Sequence, residues 1–496
     1  MTSEHRAPSI GLAGCSTISA ELQQCCRELG LPAKLYAARP ACLFEAGRRE
    51  IDDLVARAHA ERDALIIALG KCCGAPEVEG AATVSAARCT EMLLGSGTYG
   101  WCAERGVLPL PPPYFNRWLK HPEVRLQVER LLTAGPAAES LRAIAAIEEA
   151  RHSPDPQGMA EVERLAGRPS RRLFTGLGHL RETLREASQT IGLTIARETP
   201  EPIGPEALGP GDDCLVVGEE AASVEDRSAR TVTRSLDRGL ECVWVTEGSA
   251  TERIAERLAS AVPNADALRE AGELRIMSAE ALFAETNAAA DPQLLVAHWI
   301  GRAAESLNAN HSGLCLIHSA GWAESAGLSS EYALAYASRL SAACSEWPIL
   351  GAYGSVATSE APLTLGELGR THPLIWEAGH LRVSRRYLRS EEYLGSEDLL
   401  AALAREPLAF TCAQAAPLIS ALVDGELQGR PAEAVGRHAD ECPQCGELLR
   451  QQRETKQALA GLRQTIAGLS GELWARVAAQ IGAAELGDKP RADGTE

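Results

Sequence analysis

Short apolar runs alternate with amphipathic stretches over the first 135 residues. The runs "SIGLAG" (9–14) and "DALIIALG" (63–70) are almost wholly apolar and carry glycine at their ends, which is typical of strands buried on both faces. Between them, "EIDDLVARAHAERD" (50–63) spaces its apolar residues as a helix does. This order of strand, helix and strand predicts an α/β domain over residues 1–135.

The same alternation returns between residues 206 and 390. Amphipathic segments such as "ERIAERLASAV" separate the strand-like runs, which are "CLVVGEE", "ECVWVTEG", "ELRIMS", "GLCLIHSAG" and "PILGAYG". Because strands joined through helices run parallel, this pattern predicts a second parallel sheet with helices on both faces. The predicted fold class is therefore α/β, with two parallel-sheet domains followed by a small all-helical region.

Residues 136–205 lie between the two predicted sheets and are mostly polar. We predict a helical connector here, which ends in the Pro/Gly-rich linker "ETPEPIGPEALGPGDD" (198–213). After residue 405 the pattern becomes wholly helical, with a Cys/His-containing segment at 405–450 and amphipathic helices at 451–485. The final residues, 486–496, are predicted to be disordered.

One helix near the C-terminus has a distinct apolar face. In "SGELWARVAAQIGA" (470–483), Leu473, Val477 and Ile481 recur every four residues, and Trp474 lies beside them. Such a face can enter a groove of a protein partner. Packing against the rest of its own domain is the alternative, and the pattern alone does not separate the two.

The charge balance limits the class of partner. The chain of 496 residues has a formal net charge of −18, which disfavours direct binding to nucleic acid or to an anionic membrane surface. No apolar run approaches the ~20 residues that span a bilayer. The stretch before "LAGC" (12–15) also lacks the apolar core of a signal peptide. We therefore expect a cytoplasmic protein, in which the fifteen cysteines stay reduced.

Four of the C-terminal residues form a donor set suited to zinc. They are Cys412, His438, Cys442 and Cys445, and the last three follow a spacing that places them on one side of a helix. Four protein ligands leave no open position for water, so we expect one structural zinc ion and no catalytic one. Zinc-bound thiolates can be oxidised, which makes a redox-switchable site the other option.

These residues resemble the zinc-finger family of zinc-dependent anti-sigma factors. The matching features are a cysteine early in one helix, "ALVDGEL" (421–427), and the H-x3-C-x2-C pattern that starts at His438. The resemblance implies that Cys412, His438, Cys442 and Cys445 are the zinc ligands. It further implies that a following helix binds a sigma factor, although this zinc-finger family also occurs in proteins that regulate no sigma factor.

The middle of the chain resembles the MEDS domain, a sensory module of methanogen and methylotroph regulators. The matching stretches include "GLECVWVTEG" (239–248), "GLCLIHSAGW" (313–322) and "LGRTHPLIWEAG" (368–379), in the order of the family. The resemblance implies a RecA-like fold that has lost its phosphate loop and senses a small molecule. Consistently, no Gly-rich loop with Lys-Ser/Thr follows any predicted strand, so we do not expect ATP hydrolysis.

A ligand of this domain would lie near strand ends, where α/β sheets bind small molecules. Candidate pocket residues by this criterion are Trp244, His318, Trp322, Tyr353 and His372. The alternative for each is a buried residue of the core.

The N-terminal domain places several cysteines just after predicted strands. Cys72 and Cys73 follow one predicted strand and Cys89 follows another, and Cys15 is a possible fourth member of the set. Thiols are ligands for soft metal ions, so these four residues are a candidate second metal or cofactor site, with buried side chains as the alternative.

These stretches, with "GTYGW" (97–101) and "LPPPYFNRWL" (110–119), resemble domain-of-unknown-function family 1638. That family is common near corrinoid methyltransferase genes, which adds a corrinoid to the candidate cofactors. Arg88 stands where the family has an acidic residue.

Two whole-protein interpretations follow from these observations. In the first, a cytoplasmic protein senses a small ligand or cofactor and signals through its zinc-binding tail to a sigma factor or another transcription regulator. In the second, a metal- or corrinoid-associated protein of one-carbon metabolism uses the zinc tail only as structure. Neither paired catalytic carboxylates nor a Ser/His/Asp arrangement is recognisable in the sequence, so an enzyme is the less favoured class.

Overall fold

The structure of the chain is a computed structural model. It describes residues 9–40, 47–74, 76–84, 86–116, 120, 122–133, 140–149, 152–192, 203–286, 291–356, 365–394, 419–420, 422–423 and 429–457. The chain divides into two compact units. The first comprises residues 1–286 and 292–403, and the second comprises residues 404–496 with 287–291.

The first sheet of the larger unit is parallel and has the strand order β2-β1-β3-β4. Its strands are β1 (Ile10–Cys15), β2 (Ala33–Ala38), β3 (Ala64–Ala68) and β4 (Ala82–Thr83). The helices of this region are α1 (Ser19–Leu29), α2 (Gly47–Glu61), α3 (Cys89–Leu94) and α4 (Ser96–Glu104). Every residue of β1 is buried, as the uninterrupted apolar run predicts for a central parallel strand.

A second parallel sheet has the order β5-β6-β7. Its strands are β5 (Val107–Leu110), β6 (Ala143–Glu148) and β7 (Ser170–Phe174). Helices α5 (Pro112–Asn116), α6 (Pro122–Thr133), α7 (Pro156–Ala166) and α8 (Gly178–Thr190) belong to the same stretch of chain.

The secondary structure of residues 136–205 therefore differs from the predicted helical connector. The sequence of β6, "AIAAIE", is rich in alanine, and alanine prefers a helix in isolation. Here β6 lies between β5 and β7, and its four central residues are buried. Pairing and burial in this tertiary context override the local preference.

The third sheet has seven strands in the order β10-β9-β11-β12-β8-β13-β14. They are β8 (Asp213–Gly218), β9 (Leu240–Thr246), β10 (Leu274–Ser278), β11 (Gly313–His318), β12 (Ile349–Val356), β13 (Leu374–Glu377) and β14 (His380–Val383). All neighbours are parallel except the hairpin of β13 and β14. Its two turn residues, Ala378 and Gly379, have φ values of 47° and 84°, as a tight hairpin turn requires.

Nine described helices accompany this sheet, so the predicted α/β class is confirmed. They are α9 (Ala221–Asp237), α10 (Thr251–Ala261), α11 (Ala265–Glu270), α12 (Ala279–Thr286), α13 (Pro292–Asn308), α14 (Trp322–Ser325), α15 (Ser330–Glu346), α16 (Leu365–Thr371) and α17 (Ser390–Leu394).

A buried ion-pair network joins the N-terminal region to the seven-stranded sheet. Arg181 of α8 donates from Nε to Glu28 of α1 and from Nη1 to Asp212, at 2.5 Å each. Asp212 immediately precedes β8 and also accepts a hydrogen bond from the backbone N–H of Gly209 at 3.0 Å. All three charged side chains are at most 5 % exposed, so their charges depend on one another.

Two glycines bring a second part of the N-terminal region against α15. A Cβ atom on Gly95 would lie 2.6 Å from the backbone oxygen of Glu346, and one on Gly97 would lie 2.6 Å from the ring of Trp347. Since real side chains do not approach so closely, only glycine permits this contact. The N-terminal sheets and the seven-stranded sheet thus pack as one unit.

The second unit is helical where it is described. It contains α18 (Gly429–Glu441), a helix over residues 443–457, and helical residues at 419–420 and 422–423. Its buried core consists of Ile419, Val435, Ala439, Cys445 and Leu449. Among the described residues of the whole chain, no helix is both long and apolar enough to cross a membrane.

Candidate functional site

Three predicted zinc ligands lie together at the junction of two helices. One ligand atom each from His438, Cys442 and Cys445 falls within 4.8 Å of the others. His438 is in the last turn of α18, and Cys445 is in the first turn of the next helix and is only 2 % exposed. A single ion can therefore reach all three side chains.

The chain changes helix at Cys442, whereas the sequence suggested one continuous helical face. Cys442 donates its backbone N–H to His438 at 2.8 Å, and its backbone oxygen accepts from Gly446 at 2.8 Å. Pro443 begins the second helix, where its missing N–H costs nothing, and it disfavours helical geometry for the residue before it. Across this break the three ligand atoms stay within 4.8 Å of one another.

The donor chemistry fits zinc. The Nε2 atom of His438 is buried and has no hydrogen-bond partner among the described residues. Leaving a buried polar atom unsatisfied costs about 1–3 kcal/mol, whereas a metal ion would satisfy it. Imidazole and thiolates are the usual ligands of structural zinc. The fourth predicted ligand, Cys412, and the predicted partner-binding residues Leu473, Trp474, Val477 and Ile481 lie outside the described residues.

The four N-terminal cysteines, all among the described residues, lie at one edge of the first sheet, but no three of their sulfur atoms come within 4.8 Å of one another. The Sγ atoms of Cys72 and Cys73 are 3.9 Å apart. Cys15 ends β1, the 3-10 helix Lys71–Cys73 follows β3, and Cys89 begins α3 after β4. We call these four residues the thiol cluster. It lies at the carboxyl edge of the first sheet.

Electrostatics in the thiol cluster favour a thiolate at Cys15. Hydrogen bonds from Cys73 and Cys89 hold the pKa of Cys15 well below its usual range, although burial opposes this effect. The Oγ1 atom of Thr17, 3.1 Å from Cys15 Sγ, acts in the same direction. Sequence reasoning missed Thr17, although its position two residues after Cys15 was a usable signal.

The five candidate pocket residues of the seven-stranded sheet have buried side chains, at most 5 % exposed. Four are in successive ring contact: His318 lies 4.8 Å from Trp322 and 6.0 Å from Tyr353, which lies 5.3 Å from His372. Trp244 donates instead to Ser319 Oγ at 2.8 Å.

An open cleft of about 850 Å³ lies elsewhere, at the carboxyl end of β8. Its lining includes Glu219, Glu220, Arg227 and Arg382, none of which was singled out from the sequence. The turn from β8 to α9 has only two residues, Glu219 and Glu220. Such a turn is too short to wrap a phosphate, and its charges would repel one. A usable signal was the glycine that ends β8 next to these acidic residues.

A pH-dependent contribution to stability is expected from His318. Burial, helped by the nearby His372, lowers the pKa of His318 to about 3, whereas an unfolded chain has the ordinary value of about 6.5. Above pH 6.5 the imidazole of His318 is neutral in both the folded and the unfolded state, so its low pKa does not reduce the free energy of unfolding. Below that pH the imidazole binds a proton in the unfolded state but not in the folded state. The free energy of unfolding therefore falls as the pH is lowered towards 3.

We therefore expect His318→Gln to flatten the loss of stability between pH 6.5 and 4, as measured by urea midpoints at stepped pH. The matched change His380→Gln, at an exposed histidine, should leave the wild-type profile unchanged. Parallel profiles for His318→Gln and the wild type would contradict the assignment.

Comparison with known proteins finds two family matches. Residues 213–373 match the MEDS family, described as the MEthanogen/methylotroph, DcmR Sensory domain. Residues 412–446 match a zinc-finger family, in the region where the sequence resembles the zinc finger of anti-sigma factors. A search of curated proteins finds no match to the chain. Neither family match covers the N-terminal residues, so their resemblance to family 1638 stays a prediction. Residues 213–373 are thus similar to the MEDS sensory domain, and a segment similar to the zinc-finger family follows them.

Proposed function

We propose that the chain is a cytoplasmic sensory and regulatory protein. Its α/β unit senses a small ligand or cofactor, and its zinc-binding tail passes the signal to a sigma factor or another transcription regulator. The observation that supports this proposal is the presence of a MEDS sensory domain and a zinc-finger family match on one chain. The net charge of −18 favours a basic protein partner over DNA.

The zinc finger would hold its ion through His438, Cys442 and Cys445, with Cys412 as the fourth ligand. A bound zinc ion supplies a cross-link between short helices and no catalytic chemistry when all four positions are filled by protein. The core of the described helical residues is small, so such a cross-link would decide whether the module folds. Oxidation of the thiolates would then release the ion and the partner together.

The ligand of the sensory domain would bind in the open cleft at the carboxyl end of β8. Open α/β sheets bind ligands outside the carboxyl ends of their strands. The cleft presents both signs of charge through Glu219, Glu220, Arg227 and Arg382, which favours a small polar ligand. Trp244, His318, Trp322, Tyr353 and His372 are buried and do not line this cleft.

The partner proposal is tested with the sigma factors of the source organism. We expect one of them to bind the full-length chain in a two-hybrid panel and to form a complex measurable by calorimetry. Val477→Asp, which places a charge on the predicted apolar face, should weaken binding by about tenfold or more, equal to ~1.4 kcal/mol. Gln480→Asp adds the same charge off the Leu473–Val477–Ile481 repeat and should have little effect. If no sigma factor binds, the sigma-factor partner is wrong.

A second candidate function is a metal- or corrinoid-associated protein of one-carbon metabolism, with a purely structural zinc tail. The thiol cluster favours this alternative, because its four soft donors lie at the same edge of the first sheet. Adding cob(II)alamin to the anaerobic full-length chain tests it. A change in the visible spectrum that is absent from Cys15→Ala would favour the alternative, and an unchanged spectrum would remove the corrinoid.

A further inference from the structure

Two carboxylates and one imidazole lie together in a part of the fold that belongs neither to the zinc finger nor to the thiol cluster. One ligand atom each from Glu21, Glu149 and His152 falls within 4.8 Å of the others. Glu21 Oε1 lies 3.7 Å from His152 Nδ1, which also forms an ion pair with Glu149 Oε1. Two ligands bound about 2.1 Å from one ion are about 3.0–4.2 Å apart, so this spacing suits a shared ion. We call these three residues the carboxylate–imidazole cluster.

The backbone fixes the two members of the cluster that follow β6. Glu149 and His152 exchange backbone hydrogen bonds of 3.2 and 3.1 Å, which close the turn between them. The residue before this turn, Glu148, accepts a hydrogen bond at 2.8 Å from the backbone N–H of Thr175, just after β7. Glu21 comes from a separate element, the first turn of α1. The three side chains therefore meet through the tertiary fold and not through a local sequence pattern.

The two carboxylates of the cluster are buried next to each other. The side chains of Glu21 and Glu149 are 3 % and 7 % exposed. Burial raises the pKa of Glu21 to about 7 with help from the nearby Glu149 carboxylate, although its own backbone N–H and His152 act in the opposite direction. Glu21 Oε2 is buried and has no hydrogen-bond partner among the described residues. A bound cation would satisfy this atom and balance the two buried charges.

The donor set favours a particular class of cation. Carboxylate oxygens suit magnesium, calcium and manganese, whereas imidazole nitrogen suits zinc, iron and other transition metals. Magnesium and calcium take oxygen ligands, so a site that includes an imidazole favours a transition-metal ion instead. The side chain of His152 is 44 % exposed, so solvent can reach this edge of the cluster. Water can then fill the remaining coordination positions, and the ion can exchange.

We propose that Glu21, Glu149 and His152 bind one exchangeable divalent transition-metal ion, such as Mn²⁺ or Zn²⁺. His152 binds the ion through Nδ1, and each carboxylate supplies one oxygen. The bound ion joins α1 to the turn after β6. This site goes beyond the sensory and regulatory function proposed above and depends on neither the zinc finger nor the thiol cluster.

The test uses the full-length chain after a chelator wash, with Mn²⁺ as the probe. Thiolates select softer ions, so Mn²⁺ distinguishes this site from both sets of cysteines. Depletion of the electron paramagnetic resonance signal of free Mn²⁺ should show a single bound ion per chain. Glu21→Gln keeps the side-chain volume and should weaken Mn²⁺ binding by at least about tenfold, a loss typical even of residues behind the ligands. His59→Gln, at an exposed histidine of α2, is the matched control and should bind as the wild type does.

A second variant and a second measurement guard against misfolding. Because His152 is largely exposed, His152→Gln should keep the wild-type circular dichroism while also weakening Mn²⁺ binding by at least about tenfold. Saturating Mn²⁺ should raise the urea midpoint of the wild type and of His59→Gln, but not that of Glu21→Gln. The proposal is overturned if the wild-type chain leaves the signal of free Mn²⁺ undiminished. It is equally overturned if Glu21→Gln or His152→Gln binds Mn²⁺ like His59→Gln.

Discussion

Replacing Cys442 with serine should remove the zinc ion from the C-terminal module and unfold it. Serine is a poor zinc ligand, and the three predicted ligands that remain, Cys412, His438 and Cys445, do not complete the tetrahedral set. In small zinc-dependent modules the metal site does not exist in the unfolded chain, so zinc binding and folding are coupled. The apparent binding free energy, about 10–16 kcal/mol, therefore stabilises the fold. The core here comprises few residues, led by Ile419 and Val435, and cannot replace that contribution.

Elemental analysis, far-ultraviolet circular dichroism and limited proteolysis of the full-length chain would measure this change. The matched control is Gln444→Ser, which alters an exposed residue between the two cysteines and should retain zinc. Rapid cleavage near residues 429–457 is expected in Cys442→Ser only. A Cys442→Ser variant with the zinc content of Gln444→Ser would show that Cys442 is not a ligand.

Replacing Arg181 with methionine should destabilise the larger unit by about 3–5 kcal/mol. Methionine fills much of the same volume but leaves the carboxylates of Glu28 and Asp212 buried without their cation. Both carboxylates lie 2.5 Å from Arg181 in the native fold and are at most 1 % exposed. Removing one partner of a buried ion pair is costly because the remaining charge cannot be solvated.

Urea denaturation followed by tryptophan fluorescence measures this loss. Arg164→Met is the matched control, because Arg164 is 59 % exposed in its ion pair with Glu161, and exposed pairs contribute at most about 1 kcal/mol. Adding Glu28→Gln and Asp212→Asn to Arg181→Met should recover part of the lost stability, since the unpaired charges are then gone. Equal midpoints for Arg181→Met and Arg164→Met would contradict the role given to the network.

Much of the fold is predictable because a short, uninterrupted apolar run bounded by glycine is typical of a buried parallel strand. The runs that became β1, β3, β8 and β11 are of this kind. The position of Cys15, Cys73 and Cys89 at one edge of the first sheet is predictable for the same reason, because the carboxyl ends of neighbouring parallel strands lie at one edge.

Other features depend on tertiary contacts that no local pattern carries. Strand β6 has a helix-preferring sequence and becomes a strand only between β5 and β7. The open cleft is lined by Glu219 and Arg382, which are far apart in sequence and share the cleft because β14 pairs with β13 and β13 pairs with β8. The helix break at Cys442 was readable from Pro443, yet the three- and four-residue spacing suggested one continuous helix.

Because Gly95 packs directly on the end of α15, the sheets on either side of this contact cannot separate without exposing both helix ends. Proteins usually open in cooperative segments that coincide with single supersecondary motifs. Here the sheet that contains β1 and the sheet that contains β8 would have to open together, as one cooperative segment. Their amide protons should therefore exchange with deuterium in one step, and a ligand that rigidifies either sheet should slow exchange in both.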